Sequence, residues 1–196
     1  MNYPLQIRFK ILAFAPQIYV EDSQGKTLYY VKQKLFKLKE DIQVFSNANQ
    51  NQKIARIRAN QIIDWSARYF FTDNQGQEIG SVGRQGMKSL WRARYDIFHS
   101  GDKNAAFKIQ EENPFAKIMD GLFGSIPILG LLSGYLFHPS YLASRPDGSL
   151  VMRLRKQPAF LEGKFSLEKL ADLEFDEEVN LNFSFMMLLL LERARG

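Results

Sequence analysis

Apolar and polar positions alternate along this chain in short segments that come in pairs. Five pairs flank a turn rich in Asp, Asn, Ser and Gly, and they span Tyr19–Val31, Val44–Ile57, Phe70–Val82, Ile97–Ile109 and Leu142–Leu154. Alternation with a period of two is typical of a half-buried strand. The turn residues supply the side-chain hydrogen bonds and positive φ angles that tight turns need. Each pair therefore predicts a β-hairpin.

The hairpins recur at an even spacing. The first four begin at residues 19, 44, 70 and 97, so successive spacings are 25, 26 and 27 residues. The N-terminal segment LQIRFKILAF and the segments between the hairpins also alternate. Together they predict about twelve antiparallel strands in a barrel or a sandwich.

The chain ends on its most apolar stretch, FSFMMLLLLERARG. A tail anchor, a membrane-surface helix and a buried helix are the alternatives. A helix of this length is about 20 Å long, whereas a bilayer core is about 30 Å thick, so it is too short to span. A helix that is apolar on all sides is buried on all sides. A barrel of twelve strands leaves an interior that a helix about 10–12 Å wide fills.

We therefore predict an all-β fold: an antiparallel closed barrel of about twelve strands around an apolar C-terminal helix over residues 179–193. The acids of Asp176–Asn180 suit the N-terminus of this helix, and Arg193 and Arg195 suit its C-terminus. The whole chain, 1–196, is predicted to form one barrel domain.

An insertion over residues 113–140 separates the fourth and fifth hairpins and predicts two short helices. Residues 121–137 are uncharged, and their length is at the lower limit for a helix that spans a membrane. Pro127 and four glycines argue against such a helix. Three interpretations stay open: a buried helical hairpin that caps the barrel, a loop that dips into a membrane surface, and a span. Its candidate membrane- or partner-contacting residues are Leu129, Leu131, Leu132, Tyr135 and Leu136.

No set of residues indicates catalysis or a metal site. The chain has no Cys and two histidines, His99 and His138, without carboxylates at ligand spacing. No G-x-S-x-G or phosphate-loop pattern is present, and we expect the glycines of GSVGRQG to allow strand curvature or close packing on the helix. The pairs Glu111–Glu112 and Glu177–Glu178 are interpreted as helix-start charges. We expect a protein without enzyme activity, cofactor or metal.

The chain has a formal net charge of +5, and several of its bases lie two residues apart in the sequence. Bases two residues apart share one strand face, which in this barrel points outward. The pairs are Lys32 and Lys34, Arg56 and Arg58, Arg92 and Arg94, and Arg153 and Arg155. One interpretation is a solvated outer surface that discourages edge pairing. The other is an anion-binding surface for lipid headgroups, formed by Lys32, Lys34, Arg56, Arg58, Arg92 and Arg94. No recognition motif supports nucleic acid.

The repeat and the tail together resemble a known family. The residues that carry the resemblance are Tyr19–Phe45, Gly80–Phe98 and the terminal FMMLLLLERARG. They are similar to the LURP-one-related family of the tubby C-terminal-like superfamily, which is distantly related to phospholipid scramblases. The resemblance implies the barrel with its central helix. Tubby-like proteins are associated with phosphoinositide binding, and scramblases with lipid movement and a palmitoylated cysteine cluster, which this chain lacks.

Two functional hypotheses follow. The first is a non-enzymatic module that associates peripherally with anionic lipid or phosphoinositide headgroups through the outward bases. The second is a structural or protein-interaction barrel, whose insertion packs on a partner or on a second copy. Scramblase-like lipid movement is a distant third, since it requires a true span. The N-terminus has no basic stretch ahead of its apolar residues, so we expect no signal peptide and a cytoplasmic, membrane-peripheral location.

Overall fold

The structure, a computed structural model, describes residues 1–10, 17–32, 41–60, 67–85, 94–112, 140–159 and 162–193. The insertion predicted over residues 113–140 lies outside the described residues except for Ser140, as do Arg195, His138 and both tryptophans.

Twelve strands form one closed antiparallel barrel, as predicted. Each strand pairs with the next one along the chain, and β1 pairs with β12 to close the barrel. The strands are β1 Leu5–Lys10, β2 Gln17–Glu21, β3 Thr27–Lys32, β4 Ile42–Phe45, β5 Lys53–Ala59, β6 Arg68–Asp73, β7 Glu78–Arg84, β8 Arg94–His99, β9 Phe107–Glu111, β10 Ser140–Ser144, β11 Leu150–Gln157 and β12 Glu162–Lys169. All five predicted hairpins are present, as β2–β3, β4–β5, β6–β7, β8–β9 and β10–β11.

Two of these hairpins show the predicted turn chemistry. The carboxylate of Asp22 accepts the backbone N–H groups of Gln24 and Lys26, at 3.0 and 2.9 Å. Gly25 follows with φ of +79°, a conformation that glycine adopts without steric cost. The Asp73 carboxylate repeats the arrangement with Gln75 and Gln77, both at 2.8 Å. The same local sequence thus builds the same turn twice.

Within the described residues, one helix, α1, spans Phe175–Arg193 and runs through the barrel. Every residue from Asn180 to Leu190 is buried, and the inward side chains of the strands pack against it, among them Phe71 and Tyr29, whose rings meet the ring of Phe183 edge to face. The predicted central helix is confirmed. It begins four residues earlier than predicted, because the acidic residues 176–178 form its first turn rather than precede it.

Within the described part of the chain, no helix combines the length and the apolar character needed to cross a membrane.

The barrel has a turn end and an opposite end, and the central helix runs from the first to the second. At the turn end lie the segments 22–26, 46–52, 74–77, 100–106 and 145–149, together with 170–174, which leads into α1. At the opposite end the odd-numbered strands end, and so does α1. Two hydrogen bonds fix the direction of the helix: Lys169 Nζ reaches Glu178 at the turn end, and Tyr95 Oη donates to Glu192 at the opposite end, both at 2.8 Å.

Polar groups on α1 fix its position inside the barrel. Asn180 Nδ2 donates to the carbonyl oxygen of Phe98 on β8 at 2.9 Å. On another side of the helix, Asn182 Nδ2 lies 3.4 Å from the hydroxyl oxygen of Tyr3. Contacts between aliphatic side chains alone would not fix how far the helix enters the barrel or how it is rotated about its axis. These hydrogen bonds fix both.

Candidate functional site

The outward bases predicted from the sequence lie on the barrel wall where the structure describes them. On β5 the side chains of Ala55 and Ile57 are buried, so Arg56 and Arg58 point outward. Lys32 ends β3 and is exposed, and Arg94 begins β8 and is half-buried. Lys34 and Arg92 lie outside the described residues, and so do the insertion residues Leu129, Leu131, Leu132, Tyr135 and Leu136.

Lys32, Arg56 and Arg58 form one group, which we call the β3–β5 surface. Val31 pairs with Val44, and Gln43 pairs with Arg56, so Lys32 and Arg56 flank Gln43 on either side of β4. Two strand spacings separate them, about 10 Å. Arg58 lies two residues along β5, about 7 Å from Arg56.

Arg94 does not join this group. Arg58 pairs with Phe70, Phe70 with Ser81, and Ser81 with Phe98 on β8. Three strand spacings, about 14 Å, therefore separate β5 from β8. Arg94 lies four residues further along β8 from Phe98, which adds about 13 Å along the barrel.

Arg56 is bound to an acid that the sequence analysis did not single out. The Arg56 guanidinium donates two parallel hydrogen bonds to the two carboxylate oxygens of Asp41, just before β4. These bonds lower the pKa of Asp41 below its usual value, against the effect of partial burial. The pair orders Arg56 and neutralises its charge.

Lys32 and Arg58 differ from three other bases of the barrel wall, Arg8, Arg153 and Arg155. Within the described residues neither of them makes an ion pair. By contrast, Arg153 lies 3.4 Å from Glu112, Arg155 lies 3.9 Å from Glu168, and Arg8 lies 2.6 Å from Glu21. The β3–β5 surface therefore keeps exposed positive charge, whereas acids balance Arg8, Arg153 and Arg155 elsewhere on the wall.

The remaining candidate residues from the sequence are the histidines and the paired acids. Within the described residues, no group of three or more His, Cys, Asp or Glu side chains is placed to hold a metal ion. His99 ends β8, and its ring packs edge to face on Phe107. Glu111 was interpreted as a helix-start charge, and this is wrong: it is the last residue of β9, and its inward position buries it. Glu177 and Glu178 do lie in the first turn of α1.

Comparisons with known proteins bear on the fold and the family. The family model described as LURP-one-related matches residues 27–120. The X-ray structure of a protein from Arabidopsis thaliana superposes with a TM-score of 0.54 at 12% sequence identity, covering 100% of this chain and 94% of that chain. At that identity the similarity shows a shared fold. No curated protein sequence matches the chain. The match over residues 27–120, together with the barrel and its central helix, confirms the resemblance to the LURP-one-related family that the sequence predicts.

Proposed function

We propose that this barrel is a non-enzymatic binding module that associates peripherally with anionic lipid headgroups through the β3–β5 surface. The observation that carries the proposal is the exposed charge of Lys32 and Arg58, neither of which makes an ion pair with an acid among the described residues. A phosphate group attracts such bases, and each one near an anionic membrane contributes about 1 kcal/mol.

The remaining predicted contacts, which lie outside the described residues, extend this proposal. Lys34 follows Lys32 by two residues in sequence, and Arg92 precedes Arg94 by two. Leu129, Leu131, Leu132, Tyr135 and Leu136 would add apolar contact with the lipid interface, if the insertion is exposed. The test below does not substitute these positions, because the proposed role of Lys32 and Arg58 does not depend on them.

Co-sedimentation with lipid vesicles tests the proposal at the residue level. The variant K32E/R58E should bind phosphatidylserine-containing vesicles about tenfold or more weakly than the unchanged chain, because two attractive charges become repulsive. The matched control is K108E/R155E, on β9 and β11 at the far side of the barrel, where both side chains are exposed. Both variants have the same formal net charge, +1 instead of +5. Equal losses in the two variants would show a response to net charge and would overturn the assignment of this surface.

A further inference from the structure

The large apolar side chains that the described residues leave exposed all belong to one region of the turn end. They are Phe175, which is 68% exposed, and Leu150 and Leu170, each 41% exposed. Leu150 begins β11, Leu170 follows β12, and Phe175 begins α1. Single exposed apolar side chains are ordinary on a protein surface, whereas several at the same end of a barrel are a candidate contact site.

Backbone and side-chain hydrogen bonds hold these segments together. The N–H of Leu170 donates to the carbonyl oxygen of Val151 at 2.9 Å, so Leu170 lies beside the residue that follows Leu150. Arg145 Nη2 donates to the carbonyl oxygen of Asp172 at 3.0 Å, which ties the β10–β11 turn to the segment before α1. Phe175 is five residues from Leu170 and therefore within about 17 Å of it. We call this region the turn-end surface.

Acidic side chains surround these apolar groups. From Leu170 to Leu191 the chain carries acids and no base, and the exposed acids are Asp172, Glu174 and Asp176. The Glu177 carboxylate turns back to accept the N–H of Glu174 at 2.9 Å, which keeps the first helical turn ordered.

The whole turn end shows the same sign of charge. Its connections and the first turn of α1 hold eight acids against three bases, and Lys169 and the amino group of Met1 add two positive charges beside Glu178, which leaves a formal balance of −3. The acids are Asp22, Asp102, Asp147, Asp172, Glu174, Asp176, Glu177 and Glu178, and the bases are Lys26, Lys103 and Arg145.

We propose that the turn-end surface binds a basic amphipathic segment of another protein. An apolar side chain of that segment would cover Phe175 and Leu170, and its Lys or Arg residues would face Asp172, Glu174 and Asp176. This combination of apolar anchors with complementary charge is typical of peptide recognition. The surface is small, so we expect a weak, transient complex.

Charge argues against the other occupants. An anionic membrane is repelled by the acids of this surface. A second copy that used the same surface would place acids against acids. The interaction is therefore distinct from lipid binding, and it uses the end of the barrel rather than the β3–β5 surface.

The test uses a synthetic peptide with Lys and Leu at amphipathic helical spacing, labelled for fluorescence anisotropy, and the full chain. We expect binding that weakens at high salt, and no binding of the peptide in which Glu replaces every Lys. The variants F175S and E174K should each weaken binding at least fivefold. Both positions are exposed, so the fold tolerates them. The control is D102K, an exposed acid at the same barrel end on the β8–β9 connection, with an expected change under twofold.

Several results would overturn the inference. These are the absence of Lys/Leu peptide binding at low salt, equal binding of the Glu peptide, or unchanged affinity in both F175S and E174K. Loss of anionic vesicle binding in F175S would assign the surface to lipid instead. A dimer in sedimentation velocity that F175S dissociates would assign it to a second copy.

Discussion

Asn180 of the central helix packs directly on the backbone of Gly80 in β7. A Cβ built at Gly80 would lie 2.6 Å from Cγ of Asn180 and 2.7 Å from the carbonyl oxygen of Phe98. That carbonyl oxygen is the acceptor for Asn180 Nδ2. The missing side chain of Gly80 thus makes room for the hydrogen bond that joins helix and wall, as expected for a glycine that packs closely on the helix.

Alanine at Gly80 should destabilise the protein by about 1–3 kcal/mol, because the added methyl group displaces the Asn180 carboxamide. Urea unfolding measures the change. G83A is the control: its Cβ would lie 3.7 Å from its nearest neighbour, an atom of the Phe98 ring, and we expect a change within about 0.5 kcal/mol. Similar losses in the two variants would refute this close packing.

The aromatic side chains of α1 should differ sharply in their contribution to stability. Phe185 is fully buried inside the barrel, so F185A should cost about 3–5 kcal/mol of unfolding free energy. Phe175 lies on the same helix and is 68% exposed, so F175A should cost less than about 0.5 kcal/mol. Thermal unfolding followed by circular dichroism compares them, and equal changes would contradict the burial of the helix.

Deleting residues 183–196 should abolish cooperative unfolding, because the barrel loses most of its interior. A truncated chain that remains rich in β-structure and melts cooperatively would show that the barrel stands without its helix. The substitution L189D should be nearly as damaging, since it buries an unpaired charge among apolar side chains.

Buried tyrosines, among them Tyr29, Tyr95 and Tyr141, should make the protein sensitive to alkali. Burial raises the pKa of Tyr29, Tyr95 and Tyr141 well above the ordinary value of 10.0. Below pH 10 their contribution to stability is fully present. It is lost as the pH rises from about 10 toward the folded-state values, because the unfolded chain releases the protons first, with a slope of up to about 1.4 kcal/mol per pH unit for each tyrosine.

Urea unfolding between pH 9 and pH 11 checks this dependence. Y141F should flatten it, since one titrating group is removed. Y19F is the control, because the Tyr19 hydroxyl lies on the outer face and donates to Gln17 at 3.2 Å. A stability that stays constant through pH 11 would contradict the burial of these hydroxyl groups.

The Asp41–Arg56 pair should contribute modestly at neutral pH and not at low pH. The pKa of Asp41 is lowered in the folded protein, so its contribution is present above the unfolded value near 3.9 and is lost as the pH falls through the folded value. D41N should lower the free energy of unfolding by about 0.5–1 kcal/mol at pH 7. The effect is modest because solvent screens a partly exposed ion pair. E168Q is the control, because its contact with Arg155 is long and exposed. A cost of D41N that is unchanged at pH 3 would disprove this linkage.

The sequence predicted the barrel because two periodicities were unambiguous. The hairpins alternate with a period of two, and the C-terminal run is apolar on every side, which only a closed interior satisfies. The helix start was placed late because Asp176–Glu178 lack apolar character, although acids suit a first helical turn. β12 had no predicted segment, since Ser166 and Leu167 are its only buried residues and the alternation is weak.

The sequence predicted less of the candidate surfaces. Outward bases follow from strand alternation, but the pairing of Arg56 with Asp41 depends on register between strands. Leu150 begins an alternating apolar segment, whereas Leu170 and Phe175 stand next to charged residues, and this pattern alone does not show whether the three side chains are buried. They are exposed because they lie at the ends of β11, β12 and α1, outside the barrel interior. This position is visible only in the assembled barrel.

Vesicle partitioning of the unchanged chain tests the proposed function most directly. At low salt we predict binding to vesicles that contain phosphatidylserine, little binding to vesicles of phosphatidylcholine alone, and loss of binding at high salt, because exposed charges are screened beyond about 10 Å at 0.1 M. Equal partitioning to both vesicle types at low salt, or none to either, would contradict the account.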